Sequence, residues 1–501
     1  MSPSPSGSEP APRRLRPPGG IRSLIGAAAL AAATGCNALA LPAPPPTEFT
    51  SFAAENVTGL GESRVGGLGG DGLTVRASVP EIPDALPLTD RLTAIVEQEA
   101  ADFRDALPRA ERLEVDWELT AAGKGVVGVR LTRTETDHRG SHDAYSTYYY
   151  DTRTGRTAYS TELLAGDSEL RELNRRVAAE LKGTAAEAAG LYPGFRLYDS
   201  IGFNHDGGLV AEFDAGRAAP VGQGRIAAAV PAGDARPLLS ELGERVLAAS
   251  RMDPRAFSVE SPPAQDPPAD PRVPGSRPGG GDHACGVETN CVALTFDDGP
   301  AGPTDEVLDV LAEYDAEATF FLSGHAIRSR PALLGRAWSQ GHGIGNHGDT
   351  HESFPQLSRA ELDAELTTVD ALIRRETGTE VDILRPPFGH TDGTVAEVAA
   401  EHGQAQIVWD TDSRDWTGIS AEEIVANVVA RTPPNGLVLM HDTEKHTAAA
   451  LPAILEHFAA QGYALVTVSD LLGGTEAGEL YYSMDPAAND VCIQLNGCPL
   501  G

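Results

Sequence analysis

The chain has 501 residues, which at about 150 residues per domain leaves room for roughly two to three domains. Asp plus Glu number 72 against 39 Lys plus Arg, a net charge of -33. That balance argues against a nucleic-acid partner, whose phosphates demand a basic footprint, and reads as a solubility property with little bearing on substrate.

Arg13, Arg14, Arg16 and Arg22 make a positive start, and Ser23 to Ala33 is a short apolar stretch of small residues. It is too short to span a membrane as a mature helix and fits a secretory signal. It ends in Ala33-Thr34-Gly35-Cys36, which resembles the lipobox of bacterial lipoproteins, with Ala33 in place of the usual Leu. The resemblance implies a signal peptide over 1–35 and lipidation of Cys36, with a plain secretory signal as the alternative. The protein is then expected on the extracellular face of the bacterial cell membrane, held there by a lipid anchor, or secreted. Five cysteines are an awkward odd number for an exported chain. With Cys36 set aside, the rest form two tight pairs, Cys285 with Cys291 and Cys492 with Cys498. Two local disulfides are the preferred reading in an oxidising compartment. A zinc knuckle is the alternative, but no His or Cys lies at ligand spacing beside both pairs.

Residues 36–72 carry Leu41-Pro42-Ala43-Pro44-Pro45-Pro46 and the Gly-rich stretch Gly59 to Gly72, and read as a flexible tether. Residues 73–252 read as a separate α+β domain. Leu92 to Phe103 has helical spacing; Leu113 to Leu119 and Val126 to Thr132 alternate like strands, and Tyr145 to Asp151 continues the β character. Leu170 to Leu181 predicts a helix, Gly208 to Phe213 a strand, and Pro237 to Ala249 a closing helix with its proline in the first turn. Gly140-Ser141-His142, the run Tyr148 to Arg156 and the run Gly202 to Val210 resemble a module of the RsiV anti-sigma-factor family. The resemblance allows a protein ligand for this domain; a spacer or wall-binding domain is preferred. Residues 253–284 are rich in Pro, Gly and Asp and read as a semi-rigid linker.

From 285 to 475, apolar strand-like runs end repeatedly in polar residues capable of chemistry. Val292 to Phe296 stops at Asp297-Asp298-Gly299-Pro300. Two carboxylates cannot both enter a dry core unpaired, so they face an open site, or the strand simply ends in a turn. Gly343 to Asn346 leads into His347-Gly348-Asp349-Thr350-His351. One helical turn would place both imidazoles on one side, and with a carboxylate they make a three-ligand site of the kind catalytic zinc uses. Val381 to Leu384 leads into Arg385-Pro386-Pro387-Phe388-Gly389, Ala405 to Trp409 into Asp412-Ser413-Arg414-Asp415-Trp416, and Gly436 to Met440 into His441-Asp442. Helical stretches fall between, at Thr304 to Glu313 and after the capping boxes Ser358/Glu361 and Ser420/Glu423. Strand and helix in alternation predict an α/β fold, a distorted β/α barrel, with chemistry at the strands' carboxyl ends. The tail, 476–501, holds the pair Cys492 and Cys498.

Thr295-Phe296-Asp297-Asp298, His347-x-x-x-His351, Arg385-Pro386-Pro387-Phe388-Gly389, Asp415-Trp416 and Leu439-x-His441 resemble, in order, the five motifs of polysaccharide deacetylases with a NodB-homology domain, carbohydrate esterase family 4. Two positions depart from the pattern. Gly348 stands where the family usually has Ser or Thr, which removes a hydroxyl that would brace the metal-site loop, and Phe388 stands where Tyr is frequent. The resemblance implies that Asp298, His347 and His351 bind a divalent metal, zinc, and that Asp297 is the general base, held ionised by Arg385. It implies that His441, oriented by Asp415, protonates the leaving amine. The Phe388 N–H would support the oxyanion, while Trp416 and Leu439 line the acetyl pocket. Each role has a structural alternative: Asp415 as a helix cap, Trp416 and Leu439 as core, Arg385 as an ion pair.

The expected activity is removal of N-acetyl groups from GlcNAc or MurNAc of cell-wall polysaccharide, peptidoglycan before chitin, with acetate released. Chitooligosaccharide deacetylation, acetylxylan esterase activity and a catalytically weak wall or lysozyme sensor are the alternatives.

Overall fold

The computed structural model describes residues 47–70, 72–82, 85–107, 109–186, 190–253, 285 and 290–484. Cys36, the 1–35 leader and most of the 253–284 linker lie outside them. Among the described residues no helix is long and apolar enough to cross a membrane.

The first region is built on a six-stranded sheet, Gly61–Val65, Thr74–Glu81, Ala110–Gly123, Val126–Asp137, Gly140–Asp151 and Arg156–Tyr159, in that spatial order. Its pairs are antiparallel except Thr74–Glu81 with Ala110–Gly123, which are parallel. Parallel neighbours require a crossover, and the helix Leu86–Ala106 supplies it. Leu88, Leu92, Ile95, Val96, Ala100 and Phe103 recur at helical spacing along its buried face and close one core with Val79, Leu113, Val129 and Leu131 of the sheet. A second layer holds three antiparallel strands, Ile201–Phe203, Leu209–Phe213 and Ile226–Val230, with the helices Asp167–Glu180 and Glu241–Ala249.

Two expectations change here. The stretch read as tether is folded from residue 47 onward: Phe49, Val57 and Val65 are buried, and Gly61–Val65 adds an edge strand. Its glycines hid three apolar anchors. The closing helix does not begin at Pro237. Ser240, in extended conformation, accepts a hydrogen bond from the Gly243 N–H and starts the helix at Glu241, leaving Pro237 in a separate 3-10 turn, Arg236–Leu238.

The second region is a sheet whose main path runs Thr411–Asp412, Gly436–His441, Cys291–Asp297, Thr319–Leu322, Gly343–Asn346, Ile383–Leu384, Ala405–Ile407 and Leu480–Tyr481. Every neighbouring pair is parallel, and the path stays open between its two ends, as in a distorted barrel. Central parallel strands are covered on both faces and need no alternation; all seven residues of Cys291–Asp297 are buried. Both capping boxes form, at Ser358/Glu361 and Ser420/Glu423, and open the helices Arg359–Thr377 and Ala421–Arg431.

Of the two expected disulfides, Cys285 with Cys291 is formed, at the start of the first strand. The disulfide expected between Cys492 and Cys498 is not among the described bonds. Cys492 and Cys498 both lie outside the described residues, which end at 484.

The α+β region packs directly on this sheet region, and the described residues fall in one compact unit, where a separate domain was expected. The helix Leu86–Ala106 lies along Arg359–Thr377. Ion pairs cross the seam: Asp102 with Arg374 at 2.8 Å, Glu135 with Arg375 at 2.7 Å, and Arg217 with Glu376.

The catalytic sheet rests on one large core in which Phe296 and Phe320 stack at 5.1 Å between ring centres, both fully buried. Phe320→Ala should cost about 3–5 kcal/mol through lost burial and a residual cavity, read as a drop in the urea midpoint at unchanged m-value; a shift under a fifth of that size would contradict the packing described.

Candidate active site

Register brings the chemistry together. In the parallel pair Cys291–Asp297 and Gly436–His441, Asp297 stands beside His441 and Thr295 beside Leu439. Asp412 also pairs with Leu439, and Asn346 with Leu384. The residues that follow these strands therefore share one rim, the carboxyl end of the sheet.

Asp297 is almost completely buried, and its Oδ1 accepts from Arg385 Nη1 at 2.8 Å. Arg385 is itself wholly buried. The same Nη1 donates to Thr295 Oγ1, Nε to the Ile407 carbonyl and Nη2 to the Val408 carbonyl. The guanidinium lies 4.2 Å from the Phe321 ring centre and 5.6 Å from that of Trp409. Burial pulls the Arg385 pKa down, and Asp297 opposes this. The arginine thus fixes one carboxylate and neutralises it where no water can.

The adjacent acid points elsewhere. Asp298 adopts a left-handed backbone, φ 72°, which turns its side chain out of the strand's direction. Its Oδ1 lies 3.1 Å from His351 Nε2 and 3.4 Å from His347 Nε2. Burial opposes ionisation of Asp298, but hydrogen bonding and charge from the two imidazoles outweigh it and hold the carboxyl far below its usual range. His347 Nδ1 sits 2.6 Å from the Arg385 carbonyl; donating there leaves its Nε2 lone pair free for a ligand.

The sequence placed the two histidines on a helical turn. They lie on a loop instead. Gly348 has φ 75° and His351 φ 62°, and these two left-handed residues curl the chain so that both rings meet, 5.1 Å apart. The missing hydroxyl at 348 is not replaced in place: a Cβ there would sit 2.9 Å from the Phe354 ring. The loop is braced from other directions. The Gly348 N–H donates to Asn346 Oδ1, and Asn346 Nδ2 donates to Asp370 Oδ1. Glu365 accepts from both the N–H and the Oγ1 of Thr350, each at 2.8 Å.

The third unit is His441 with Asp415. Nδ1 and Oδ1 are 2.8 Å apart, and Asp415 Oδ2 also accepts from the His441 N–H and from Thr447 Oγ1. Burial works against a charged His441, but the hydrogen bond and charge of Asp415 win and raise it to about 9. Phe388 and Trp416 stand exposed at the rim, 59% and 60% accessible, while Leu439 is buried in the floor. The Phe388 ring meets His351 edge-on at 4.7 Å.

All the catalytic, metal and substrate residues singled out by motif are therefore gathered at one rim. Sequence reasoning assigned no role to Thr295 and Asn346 and did not single out Glu365, Asp370 and Thr447, all of which help to hold the site.

The donor set suits a cation. Two imidazole nitrogens and one carboxylate oxygen lie within 4.8 Å of one another, with Asp298 Oδ1 facing both rings. Two nitrogens and one oxygen are donors that a divalent metal accepts.

This geometry is testable in two places. In the metal-free protein the His441 ring should titrate near pH 9, charged below and neutral above, and Asp415→Asn should bring it down toward the ordinary 6.5; an unmoved midpoint in nitrogen-resolved NMR would refute the dyad. Glu365→Ala should loosen the ligand loop and weaken zinc binding about 10- to 100-fold in a chelator competition, with secondary structure by circular dichroism unchanged.

The family model described as polysaccharide deacetylase matches residues 286–407. A peptidoglycan-N-acetylglucosamine deacetylase of Bacillus cereus is 37% identical over 187 residues, 36% of this chain and 87% of that protein. The peptidoglycan-N-acetylglucosamine deacetylase PgdA of Listeria monocytogenes is 35% identical over 193 residues, 38% of this chain and 41% of its own length. A solved family 4 carbohydrate esterase from Streptomyces lividans, in complex with acetate, is 33% identical and covers 38% of this chain and 98% of that one, with a TM-score of 0.36. The match thus spans less than half of the Listeria relative. With most of the B. cereus protein covered at that identity, and the family's motif residues converging on one rim, the chain belongs to the polysaccharide deacetylase family.

Proposed function

We propose that the protein is a metal-dependent hydrolase that removes N-acetyl groups from the GlcNAc or MurNAc residues of peptidoglycan and releases acetate. The observation that carries this reading is the placement, on one sheet rim, of an Arg-clamped carboxylate, a three-ligand donor set and a carboxylate-oriented imidazole. A base, a cation site and an acid are what amide hydrolysis at neutral pH requires.

Asp298, His347 and His351 would hold the cation, zinc by the donor chemistry, and such an ion supplies Lewis acidity to a bound water and to the acetamide carbonyl. Asp297 takes the proton of the attacking water, and Arg385 keeps that carboxylate paired and aimed. His441, kept charged by Asp415, gives its proton to the departing sugar nitrogen. The Phe388 N–H would donate to the carbonyl oxygen as it gains charge. Leu439 and Trp416 offer apolar surface to the acetyl methyl, and exposed Trp416 and Phe388 give a pyranose ring flat faces to lie against. Peptidoglycan is favoured over chitin and acetylxylan because the Bacillus cereus and Listeria relatives act, by name, on peptidoglycan. Cys36, in its lipobox-like setting, is the proposed anchor point at the outer face of the membrane.

The test is acetate release from peptidoglycan, chitooligosaccharide and acetylxylan. Asp297→Asn should lower kcat about a thousandfold, within the range for loss of a general base, and a chelator should abolish release until zinc is returned. Release insensitive to both treatments would overturn the mechanism, and preference for acetylxylan would overturn the substrate.

A further inference from the structure

A groove of about 390 Å³ lies between the turn Asp137–Gly140 of the α+β region and the helix Gly324–Ser329 of the catalytic region. Arg109, His138, Arg139, His325 and Arg328 line it against one acid, Asp137. In a chain with 72 acidic and 39 basic residues, three guanidiniums facing one carboxylate reverse the general balance. Donor capacity is left over. Arg139 binds Asp137 through Nε and Nη2, which leaves Nη1. Arg328 gives Nη2 to Asp349 and its Nη1 is buried, so it adds positive charge beside the groove and no free donor. Arg109 is exposed, and no ion pair holds it among the described residues. The groove continues into a second cleft of about 400 Å³ that shares Asp137, Arg139 and Arg328.

This groove adjoins the metal loop. The His325 N–H donates to the Asp349 carbonyl, the Gly324 N–H donates to the Gly348 carbonyl, and Arg328 holds the Asp349 carboxylate. Asp349 lies between the ligands His347 and His351. A substituent on a sugar polymer seated at the rim would therefore reach the groove within a few residues of extended peptide, at about 3.5 Å each.

We propose that this groove binds the carboxylates of the stem peptides carried by the glycan substrate. The proposal rests on the peptidoglycan reading and deepens it. Guanidiniums recognise carboxylates through their planar donor edge. The α+β region thus becomes half of a substrate-binding surface, because Arg109 and Arg139 come from it and Arg328 from the catalytic region.

The experiment measures binding of fluorescent glycan strands to the full-length, zinc-loaded protein by anisotropy, with KM for acetate release alongside. The strands bear peptides, have had them removed by an amidase, or are chitotetraose. Peptide-bearing strands should bind about tenfold tighter than stripped ones. The double variant Arg109→Gln, Arg139→Gln should abolish that difference and leave stripped strands and chitotetraose unchanged, while Arg139→Lys should retain most of it. Equal affinity for peptide-bearing and stripped strands in the wild type, or an equal loss on all strands in the variant, would overturn the proposal. Binding is read without acetate release, so a protein that binds peptides but deacetylates nothing would sink the enzymatic reading and leave this one standing.

Discussion

The buried pair Arg385–Asp297 is the constraint on which the site depends. A carboxylate with so little exposure cannot stay charged by hydration, and a wholly buried guanidinium costs several kcal/mol unless it is matched. Each solves the other's problem. The two backbone carbonyls, the Thr295 hydroxyl and the two flanking rings that complete the arginine's shell leave it no other position. The Arg385 carbonyl then receives His347, so the same residue sets the proposed base through its side chain and a proposed cation ligand through its backbone. Loss of the arginine would disturb both at once.

Backbone strain at the rim does a separate job. Asp298, His351, Phe388 and Arg414 all adopt left-handed conformations although none is glycine, a choice that costs of order 1–3 kcal/mol each. At every one of these positions the turn re-aims a side chain or begins the turn that carries one. Two neighbouring acids would otherwise point to opposite faces of a strand by simple alternation; the turn at 298 lets one serve the buried arginine and the other the histidines. The core beneath offsets this strain.

What the sequence made legible were strand ends. An apolar run that stops at Asp297-Asp298, at Arg385 or at His441 reveals both its burial and its chemistry, and the helices announced themselves through Ser358/Glu361 and Ser420/Glu423. The strand Thr319–Leu322 went unremarked because its run ends in no reactive residue. The histidine loop was misread as helix because spacing of four is blind to the sign of φ. Glu365 and Thr447 were invisible for another reason: they act on residues 15 and 32 positions away, and such pairings exist only once helices are docked. The α+β region was harder still. Its buried charges, Glu99 and Arg133 among them, carry no sequence signal of burial, and only the fold shows that they are paired inside.

The helix Arg359–Thr377 joins these themes. Near its first turns Glu365 grips Thr350, and in its middle Asp370 and the Leu366 carbonyl hold Asn346, so its inner side sets the shape of the ligand loop. At its last turn Arg374, Arg375 and Glu376 meet Asp102, Glu135 and Arg217 of the α+β region. Ion pairs with little exposure add little net stability, because desolvation consumes most of their attraction, but a mismatched pair is strongly unfavourable. Three charges in fixed order, positive, positive and negative, therefore define one docking position for the α+β region far better than apolar contact would. That position also fixes the turn Asp137–Gly140 against the helix Gly324–Ser329, and so the width of the cationic groove beside the metal loop. A single helix thus sets the geometry of the ligand loop and the register of the surface that extends it.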